Sequence, residues 1–467
     1  MMRAGNEGGT APDADLPLST AQLRWWVAQQ LYPAVPNTVA LYLELTGDLE
    51  RELLQECGTR AARELESPLL RFRLVEGCPR QYSDPAAFGP AHFVDLTDRA
   101  DPLGSAVAAM DRDQGLPLDL LSDPLTVATV YRLEPRRHLL YLRSHHIVLD
   151  GLGAAALLRR TTELYSATLD SRSRGGSEAS FLTVAELLDD ERRYLNSSRA
   201  SSDRGYWARQ VDGMGEPARL AGPPVAPAAR PHRTAAALPD STADRLRTLR
   251  QESGIAFPGL TIAAFACYLA GMTGSDEIVL SLPVPARPTA ALRRSAGTVS
   301  NVVPLRLTGM RGATGAKVIE QVRAKVVGAL RHQRYRYEDM LRDSGDNLTV
   351  RGSFGPVVNM LRFVEQPRVG PLTAQVRLLS LGPVEDLLVN GYQLGPDERT
   401  ITIDMQANPG LYSRETLAWH HSRYLEYLHR FLADLAGPVP EIAGGHTGPA
   451  AGDTQGWRLP PIPTVDS

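Results

Sequence analysis

The sequence predicts an α/β fold that is built from two consecutive halves. Helical and strand-like hydrophobic patterns alternate along the chain as far as about residue 440. A polar segment rich in Gly and Ser, Asp170 to Ser180, interrupts this pattern and is typical of a domain boundary. At about 150 residues per domain, 467 residues allow two or three domains. We therefore expect an N-terminal half at 16–177 and a C-terminal half at 178–440, which could be similar folds.

The elements of the first half follow from periodicity and from the residues at their ends. A helix over 19–31 begins at a Ser or Thr cap and carries apolar residues at helical spacing. Residues 37–46 alternate as a half-buried strand does. The other predicted elements are a helix at about 50–65, strands near 69–77, 124–133 and 138–149, and a helix from Gly153 to Leu169.

The second half repeats the mixed pattern. Its last helix, at about 414–436, begins after Ser413, carries an apolar stripe and stops at Gly437-Pro438. The other predicted elements are helices at 242–253, 260–272 and 315–332, strands at 276–284 and 300–307, and a hairpin of 387–394 with 399–406 around Gly395-Pro396-Asp397. Outside both halves, residues 1–15 are predicted to be a flexible arm and residues 441–467 a disordered tail.

Composition and charge exclude several classes of protein. Apolar residues make up 43% and charged residues 22% of the chain, as in an ordinary globular protein. A net charge of −3 gives no overall attraction to nucleic acid or to an anionic membrane, and neither is expected as a partner. The N-terminus lacks the apolar core of a signal peptide. The three cysteines form no CxxC pair, so we expect no disulfide framework, no thiolate metal site and a cytoplasmic location.

The strongest local signal is Ser144-His145-His146-Ile147-Val148-Leu149-Asp150-Gly151, at the end of a β-rich run. Because neighbouring strand residues point to opposite faces, only one histidine can face a cleft while the other packs within the sheet. Asp150 could fix a histidine tautomer, or could anchor the loop by pairing with an arginine. Gly151 permits a backbone geometry that a side chain would block, and a close approach to a substrate. The segment is therefore a candidate catalytic site.

Three other interpretations of this segment stay open on the residues alone. The histidines could be structural groups that end a strand. His145, His146 and Asp150 could ligate a metal, although no HExxH pattern or cysteine ligand supports them. The run Gly151 to Ala156 matches the dinucleotide pattern G-x-G-x-x-A between a strand and a helix.

Other chemical signals are weaker. The chain has neither a GxSxG elbow nor a phosphate-binding GxxxxGK[ST] loop. His420 and His421 lie in the middle of the last helix and are predicted to belong to a solvated or packed helix face. Arg287 follows a strand and is either an exposed loop residue or the ion-pair partner of a buried acid.

Six segments carry a family resemblance in one consistent order. Residues 145–151 form a complete HHxxxDG signature. The others are Leu18 to Trp26 (S-x-A-Q-x-R-L-W), Leu282 to Arg287 (G-x-P-V-x-x-R), Val299 to Arg306 (F-V-N-T-L-P-L-R), Arg336 to Leu341 (Y-P-F-E-D-L) and Phe354 to Asn359 (P-L-F-x-x-M-F-N). Together they resemble the condensation domains of nonribosomal peptide synthetases, within the chloramphenicol-acetyltransferase-like fold, over about residues 16–440.

The resemblance implies two acetyltransferase-like halves in a V-shaped pseudo-dimer, with a channel between them that donor and acceptor enter from opposite faces. It implies that His146 is catalytic and that Asp150 is structural and pairs with Arg287, while His145 and Gly151 support the signature loop. Ser300 and Asn301, at a strand start in the second half, are further candidates for the substrate channel. The sequence departs from the family in Leu152-Gly153, where D-G-W-S is common, and in a degraded segment at Glu66 to Leu74.

The expected reaction joins a carrier-bound acyl or aminoacyl thioester to an amine or hydroxyl, giving an amide or ester. The phosphopantetheine arm of a donor carrier protein would be a substrate, and no permanently bound cofactor or metal is expected. The acceptor would be a small molecule or carrier-bound. A coenzyme A-dependent acyltransferase and a non-catalytic carrier-docking module are the alternatives. Because the sequence contains neither an adenylation domain nor a G-x-D-S carrier motif, a free-standing enzyme is expected over a domain cut from a larger synthetase.

Overall fold

The structure, a computed structural model, describes residues 15–170, 181–223, 225–344, 354–361, 367–394 and 400–442. The predicted arm, boundary segment, hairpin turn and tail lie almost entirely outside these residues. The strands are β1 (Leu16–Pro17), β2 (Thr38–Thr46), β3 (Leu70–Val75), β4 (Cys78–Ser83), β5 (His92–Asp95), β6 (Thr126–Glu134), β7 (Arg137–His145), β8 (His232–Ala237), β9 (Glu277–Val284), β10 (Asn301–Thr308), β11 (Val357–Leu361), β12 (Thr373–Leu381), β13 (Leu387–Leu394) and β14 (Thr400–Ala407).

The helices agree closely with the predicted positions where a prediction was made. They are α1 (Thr20–Leu31), α2 (Arg51–Leu65), α3 (Pro102–Gln114), α4 (Gly151–Leu169), α5 (Val184–Leu195), α6 (Ser198–Val211), α7 (Asp240–Ser253), α8 (Phe257–Thr273), α9 (Ala290–Arg293), α10 (Gly315–Arg331), α11 (Tyr337–Asp343) and α12 (Arg414–Ala433). The short β3–β4 hairpin and β1 form a small third sheet. Helices α3, α5, α6, α9 and α11 were not predicted.

Strand β7 lies at the centre of a five-stranded sheet with the order β12-β2-β7-β6-β5. Its near-continuous apolar run fits this place because both faces of the sheet are covered. Leu140 and Leu142 pack into the core formed with α2 and α4, whereas Leu139 and Tyr141 pack into a smaller core with α3. The strand is therefore held rigidly from both sides, and its carboxyl end is a fixed platform.

The second half is a six-stranded sheet with the order β10-β9-β11-β13-β14-β8. Helix α8 is apolar on all sides and is buried at the centre of this core, where it contacts α10 and α12. Of the two predicted alternatives for His420 and His421, a solvated or a packed helix face, the structure shows the packed one, since His420 bonds to the Tyr268 hydroxyl and His421 to the Ile403 carbonyl. No described helix alone has the length and hydropathy to cross a bilayer, although α7 and α8, bent by 114°, satisfy the criteria as a pair.

Strand β12 crosses from the second half into the first sheet, where it pairs antiparallel with β2. Val376 of this strand and Leu188 of α5 pack into the first core, although both lie beyond residue 178. The predicted division at 177/178 is therefore wrong for these two elements. The crossing covers the backbone edge of β2, which would otherwise stay unpaired. Hydrophobic periodicity identifies a strand but not the sheet that it joins.

Candidate active site

The HHxxxDG segment forms a tight turn between the centre of the first sheet and α4. Strand β7 ends at His145, not at 149 as predicted, because the next residues turn back. The amides of Val148 and Leu149 both donate to the His145 carbonyl, at 2.9 and 3.2 Å. Asp150 then caps α4, with its Oδ1 accepting from the Gly153 amide at 2.9 Å. His145 and His146 are thereby placed at the end of a rigid strand.

His145 is the histidine that packs within the protein. It is fully buried, its Nδ1 accepts from the Ile147 amide at 3.0 Å, and its Nε2 lies 3.1 Å from Gln29 Oε1. The Ile147 amide fixes the tautomer, so Nε2–H donates to Gln29. Burial lowers the pKa of His145 to about 3, so the ring is neutral. Both ring nitrogens of His145 are therefore occupied within the protein, which fits the structural role that the family resemblance implies.

His146 lies at the junction of the two halves. Its backbone amide donates to the Asn37 carbonyl at 2.7 Å, and its Nε2 lies 3.2 Å from the Leu381 carbonyl at the end of β12. The backbone at Gly382 approaches the ring closely, since a Cβ there would lie 3.1 Å from Nε2. Gly382 also has a φ of +114°, which favours glycine. The crossing strand thus supplies one wall of the histidine site.

The contacts of His146 define its protonation state. Because the Leu381 carbonyl can only accept, the proton resides on Nε2 and the lone pair on Nδ1. Burial lowers the pKa of His146 to about 4, although the Leu381 hydrogen bond and the Asp150 charge act in the opposite direction. Nδ1 is buried and has no hydrogen-bond partner among the described residues. The ring is therefore neutral at pH 7 and retains an unoccupied basic nitrogen.

The Asp150–Arg287 pair joins the two halves beneath this histidine. Arg287 Nη1 and Nη2 donate to the two carboxylate oxygens at 2.8 and 3.0 Å, and both side chains are buried. The carboxylate also accepts from the amides of Val299 and Ser300, at 3.1 and 2.9 Å. Burial alone would raise the pKa of Asp150, but the Arg287 charge and the hydrogen bonds outweigh it and lower the pKa. The ion pair that the resemblance implies is present.

Further contacts fix the segment after Arg287 against the signature turn. Leu149 and Gly297 form an antiparallel bridge, and the Thr298 hydroxyl donates to the His146 carbonyl. Gly153 lies so close to this segment that a Cβ would be 1.9 Å from the Ala296 carbonyl oxygen. The departure from D-G-W-S at position 153 therefore has a structural reason, since the two halves meet at that glycine.

Two predictions about individual residues need correction. Gly151 lies in the first turn of α4 without a positive φ, and a Cβ there would meet only Leu381 Cδ2 at 3.9 Å, so the expected special backbone geometry is absent. Asn301 was expected in the substrate channel, but it is buried and its amide is used by backbone groups. Its Nδ2 donates to the carbonyls of Gln333 and Tyr335, at 3.1 and 2.7 Å. Asn301 thus anchors a loop rather than presenting a free donor.

Ser300 differs from its neighbour. Its amide donates to Asp150, its carbonyl accepts from Arg336 at 2.9 Å, and the residue is partly exposed. The backbone of Ser300 is therefore fixed, and its hydroxyl remains a candidate for the channel.

Sequence reasoning missed several residues that surround His146. The Trp25 indole stacks on the imidazole, with ring centroids 4.5 Å apart and planes 12° apart. Gln29 holds His145 and also accepts from Asn37 at 2.8 Å. Trp25 lies inside one of the six family-like segments, so that resemblance offered a signal for it. No sequence signal indicated the Leu381 carbonyl or Gly382, because a contact made by backbone atoms cannot be recognised from residue type.

The dinucleotide and metal interpretations of the HHxxxDG segment disagree with the sheet topology and with the positions of the possible ligands. Strand β7 is antiparallel to both of its neighbours, β2 and β6, whereas a dinucleotide site needs a parallel βαβ unit. Among the described residues, no three His, Cys, Asp or Glu side chains are grouped so as to hold a metal. No described Ser or Cys side chain bonds to His146 as a nucleophile would. A neutral buried histidine between two α/β halves, with no described nucleophilic side chain bonded to it, is compatible with the class of acyltransferases that use an already activated acyl donor.

The comparison with protein families agrees with this class. Residues 13–443 match the Condensation domain family, so the chain belongs to the family of condensation domains, enzymes that transfer acyl groups in nonribosomal peptide synthesis. The predicted resemblance and enzyme class are confirmed.

Curated relatives are large synthetases. The chain is 33% identical over 399 residues to an isonitrile lipopeptide synthase of Streptomyces coeruleorubidus, covering 85% of this chain and 27% of that protein. It is 30% identical over 421 residues to a dimodular nonribosomal peptide synthase of Bacillus subtilis, covering 89% of this chain and 17% of that protein. The chain thus spans about a quarter or less of the length of these two relatives.

Solved condensation domains share the whole fold. A mutant of the starter condensation domain of rhizomide synthetase, in complex with C8-CoA, superposes with a TM-score of 0.84 at 30% identity, covering 92% of this chain and 97% of that one. The first condensation domain of the calcium-dependent antibiotic synthetase, in complex with a substrate analogue, gives a TM-score of 0.81 at 30% identity, covering 92% and 99%. The predicted two-lobed α/β fold class is therefore confirmed.

Proposed function

We propose that this domain moves an acyl or aminoacyl group from the phosphopantetheine thioester of a donor carrier protein to an amine or hydroxyl acceptor, a small molecule or a carrier-bound group. The observation that carries the proposal is the state of His146. Its ring is neutral, its Nε2–H is held by the Leu381 carbonyl, and its Nδ1 lone pair has no partner among the described residues. This is the form that a general base must have before it accepts a proton.

The proposed reaction needs no covalent enzyme intermediate, because a thioester is already activated. The nitrogen or oxygen atom of the acceptor attacks the thioester carbonyl carbon. His146 Nδ1 takes the proton of that acceptor atom as the new C–N or C–O bond forms. Collapse of the tetrahedral intermediate breaks the C–S bond. The proton then passes from the imidazole to the departing thiolate, which leaves as a free thiol, and His146 returns to its neutral form.

Oxyanion stabilisation by His146 is the rival role in this reaction. A less basic oxygen nucleophile gains more from a general base than an amine does. If His146 is the base, His146→Ala should slow an alcohol acceptor more than an amine of matched shape. Equal slowing of both acceptors would favour the oxyanion role.

A second candidate function has its own observation. The rhizomide starter domain binds C8-CoA, so a free coenzyme A thioester could also be the donor for this chain. The test is mass spectrometry of products from octanoyl-carrier protein and from octanoyl-CoA, each offered matched amine and alcohol acceptors. A faster rate with the carrier supports the proposal, and a faster rate with free octanoyl-CoA supports the second candidate. Carrier binding without product from any of a panel of loaded donors would indicate a docking module instead.

A further inference from the structure

A cleft between the two halves lies beside the signature turn. It contains about 690 Å³ of empty space, a figure that includes the open solvent at its mouth. The first half contributes Ser67 and the start of α1, α5 spans one side, and the second half contributes the segment 297–299 and Arg336. That segment is the one whose Thr298 bonds to the His146 carbonyl. The segment 297–299 thus lines the cleft and also contacts the backbone of His146, the proposed base.

Arg336 is the arginine of this cleft that has no direct ion pair among the described residues. Its Nη1 donates to the carbonyls of Val299 and Ser300, at 3.0 and 2.9 Å. No described carboxylate oxygen lies within 4.0 Å of its guanidinium. Burial lowers the pKa of Arg336, although the more distant charges of Glu191 and Glu338 act in the opposite direction. A partly buried guanidinium of this kind is a strong site for a carboxylate, because its fork of N–H donors matches the two oxygens.

The other charged side chains near Arg336 have contacts of their own. Arg334 pairs with Asp190 at 2.5 Å, and Arg24 lies 3.5 Å from Glu338. Glu191 faces the same cleft, but both of its carboxylate oxygens accept from the Thr20 amide at 3.2 Å. Glu191 keeps its negative charge, and Arg336 is the cation of the cleft whose guanidinium has no direct carboxylate partner among the described residues.

Ser67 gives a second, independent indication of a ligand. Its hydroxyl lines the cleft, is fully buried, and has no hydrogen-bond partner among the described residues. A buried hydroxyl without a partner costs free energy unless a water or a ligand satisfies it. A polar ligand group in the cleft could supply the partner that the Ser67 hydroxyl lacks.

We propose that the acceptor substrate carries a carboxylate, which binds in this cleft with Arg336 as its counter-ion. The inference rests on the proposed function, since it names a property of the acceptor in that reaction. The phosphate of a pantetheine arm fits less well, because the long arm separates its phosphate from the reacting thioester, whereas Arg336 is close to the signature turn. A small amino acid places its carboxylate within a few bonds of its amine.

The test compares free amino acids with the corresponding amino acid amides as acceptors, with the donor that gives turnover. Wild-type protein should prefer the acids, and Arg336→Gln should lower kcat/KM for the acids by about ten- to a hundredfold, with little change for the amides. Arg336→Lys should restore part of the preference. Arg342→Gln, which removes an exposed arginine of α11 outside the cleft, should keep it. Thermal unfolding verifies that each variant is folded.

Two outcomes would overturn the inference. One is a wild-type enzyme that uses acids and amides equally well. The other is an Arg336→Gln effect that appears only with phosphorylated pantetheine acceptors and not with their dephosphorylated forms. If no acceptor yields product, the proposed function fails, and the inference is tested separately by calorimetric binding of the free amino acids to wild type and Arg336→Gln. Equal binding of both proteins would overturn it.

Discussion

The imidazole of His146 and the indole of Trp25 are stacked face to face, with centroids 4.5 Å apart and planes 12° apart. Trp25 belongs to α1 of the first half, whereas the carbonyl that holds His146 Nε2 belongs to Leu381, at the end of the crossing strand. One side chain is therefore held on its face by one element and at its edge by another. This arrangement fixes the direction in which the free Nδ1 points, as a general base requires.

His146→Ala should abolish most turnover while the fold stays intact. Removal of a positioned general base typically costs about 10²- to 10⁴-fold in rate. Product formation followed by mass spectrometry measures the loss, and circular dichroism with thermal unfolding verifies the fold. Turnover near that of wild type would show that His146 is not the base.

His145→Asn is the matched control one residue earlier. The asparagine oxygen can still accept from the Ile147 amide, but the shorter side chain loses the bond to Gln29 and leaves space where the ring was, so the free energy of unfolding should fall by about 1–3 kcal/mol. Urea unfolding measures this loss. A variant that is fully stable but inactive would move the catalytic role toward His145.

Gly382→Ala should impair catalysis through the position of His146. The new Cβ would lie 3.1 Å from Nε2 at a φ of +114°, so either the imidazole or the backbone must shift. We expect kcat to fall more than the affinity for the donor. Gly89→Ala is the control, because a Cβ at Gly89 would meet no atom within 4 Å. Equal kinetics for both variants would show that the approach of Gly382 to His146 has no role.

The sequence predicted the parts of this site that depend on residue type. The HHxxxDG turn, the Asp150–Arg287 pair and the helix capped at Ser19 all leave a pattern of side chains. The crossing of β12 and the Leu381 contact could not be predicted in this way, because sheet pairing is made by backbone groups that every residue possesses. Asn301 was misassigned because a polar residue at a strand start looks the same whether it faces substrate or bonds to a loop.

Asp150→Ala should lower stability as well as activity. It removes one partner of a buried pair and leaves Arg287 without its carboxylate, which typically costs about 3–5 kcal/mol. Urea unfolding compared with wild type measures the loss. Asp48→Ala removes the acid of an exposed pair with Arg136 and should change stability little. A stable but inactive Asp150→Ala would indicate that the carboxylate acts in the chemistry.

Asn301→Ala should destabilise the protein, since three backbone groups lose their partner. The carbonyls of Gln333 and Tyr335 and the amide of Tyr337 would become unsatisfied inside the protein. We expect a loss of about 1–3 kcal/mol in the free energy of unfolding, with turnover per folded molecule close to that of wild type. Reduced turnover at unchanged stability would return Asn301 to the substrate channel.

The buried histidines should make the protein lose stability as the pH falls below neutrality. Burial lowers the pKa of His145 to about 3 and the pKa values of His146 and His420 to about 4. In the unfolded chain, by contrast, each histidine takes up a proton near pH 6.5. Between pH 6.5 and about 4, therefore, the unfolded state binds more protons than the native state. Native stability is complete above pH 6.5 and is lost as the pH falls, by up to about 1.4 kcal/mol per pH unit for each histidine.

His420→Gln isolates one of these three contributions away from the proposed active site. His420 lies in α12, and its Nδ1 bonds to the Tyr268 hydroxyl. The variant should lose some stability at pH 7.5. Between pH 6.5 and 4.5 its free energy of unfolding should fall less steeply than that of wild type, by up to about 1.4 kcal/mol per pH unit, the contribution of one proton. Urea unfolding at pH 7.5, 6.5, 5.5 and 4.5 measures both quantities. Identical slopes for wild type and variant would show that His420 is protonated equally in the native and unfolded states, contrary to its burial.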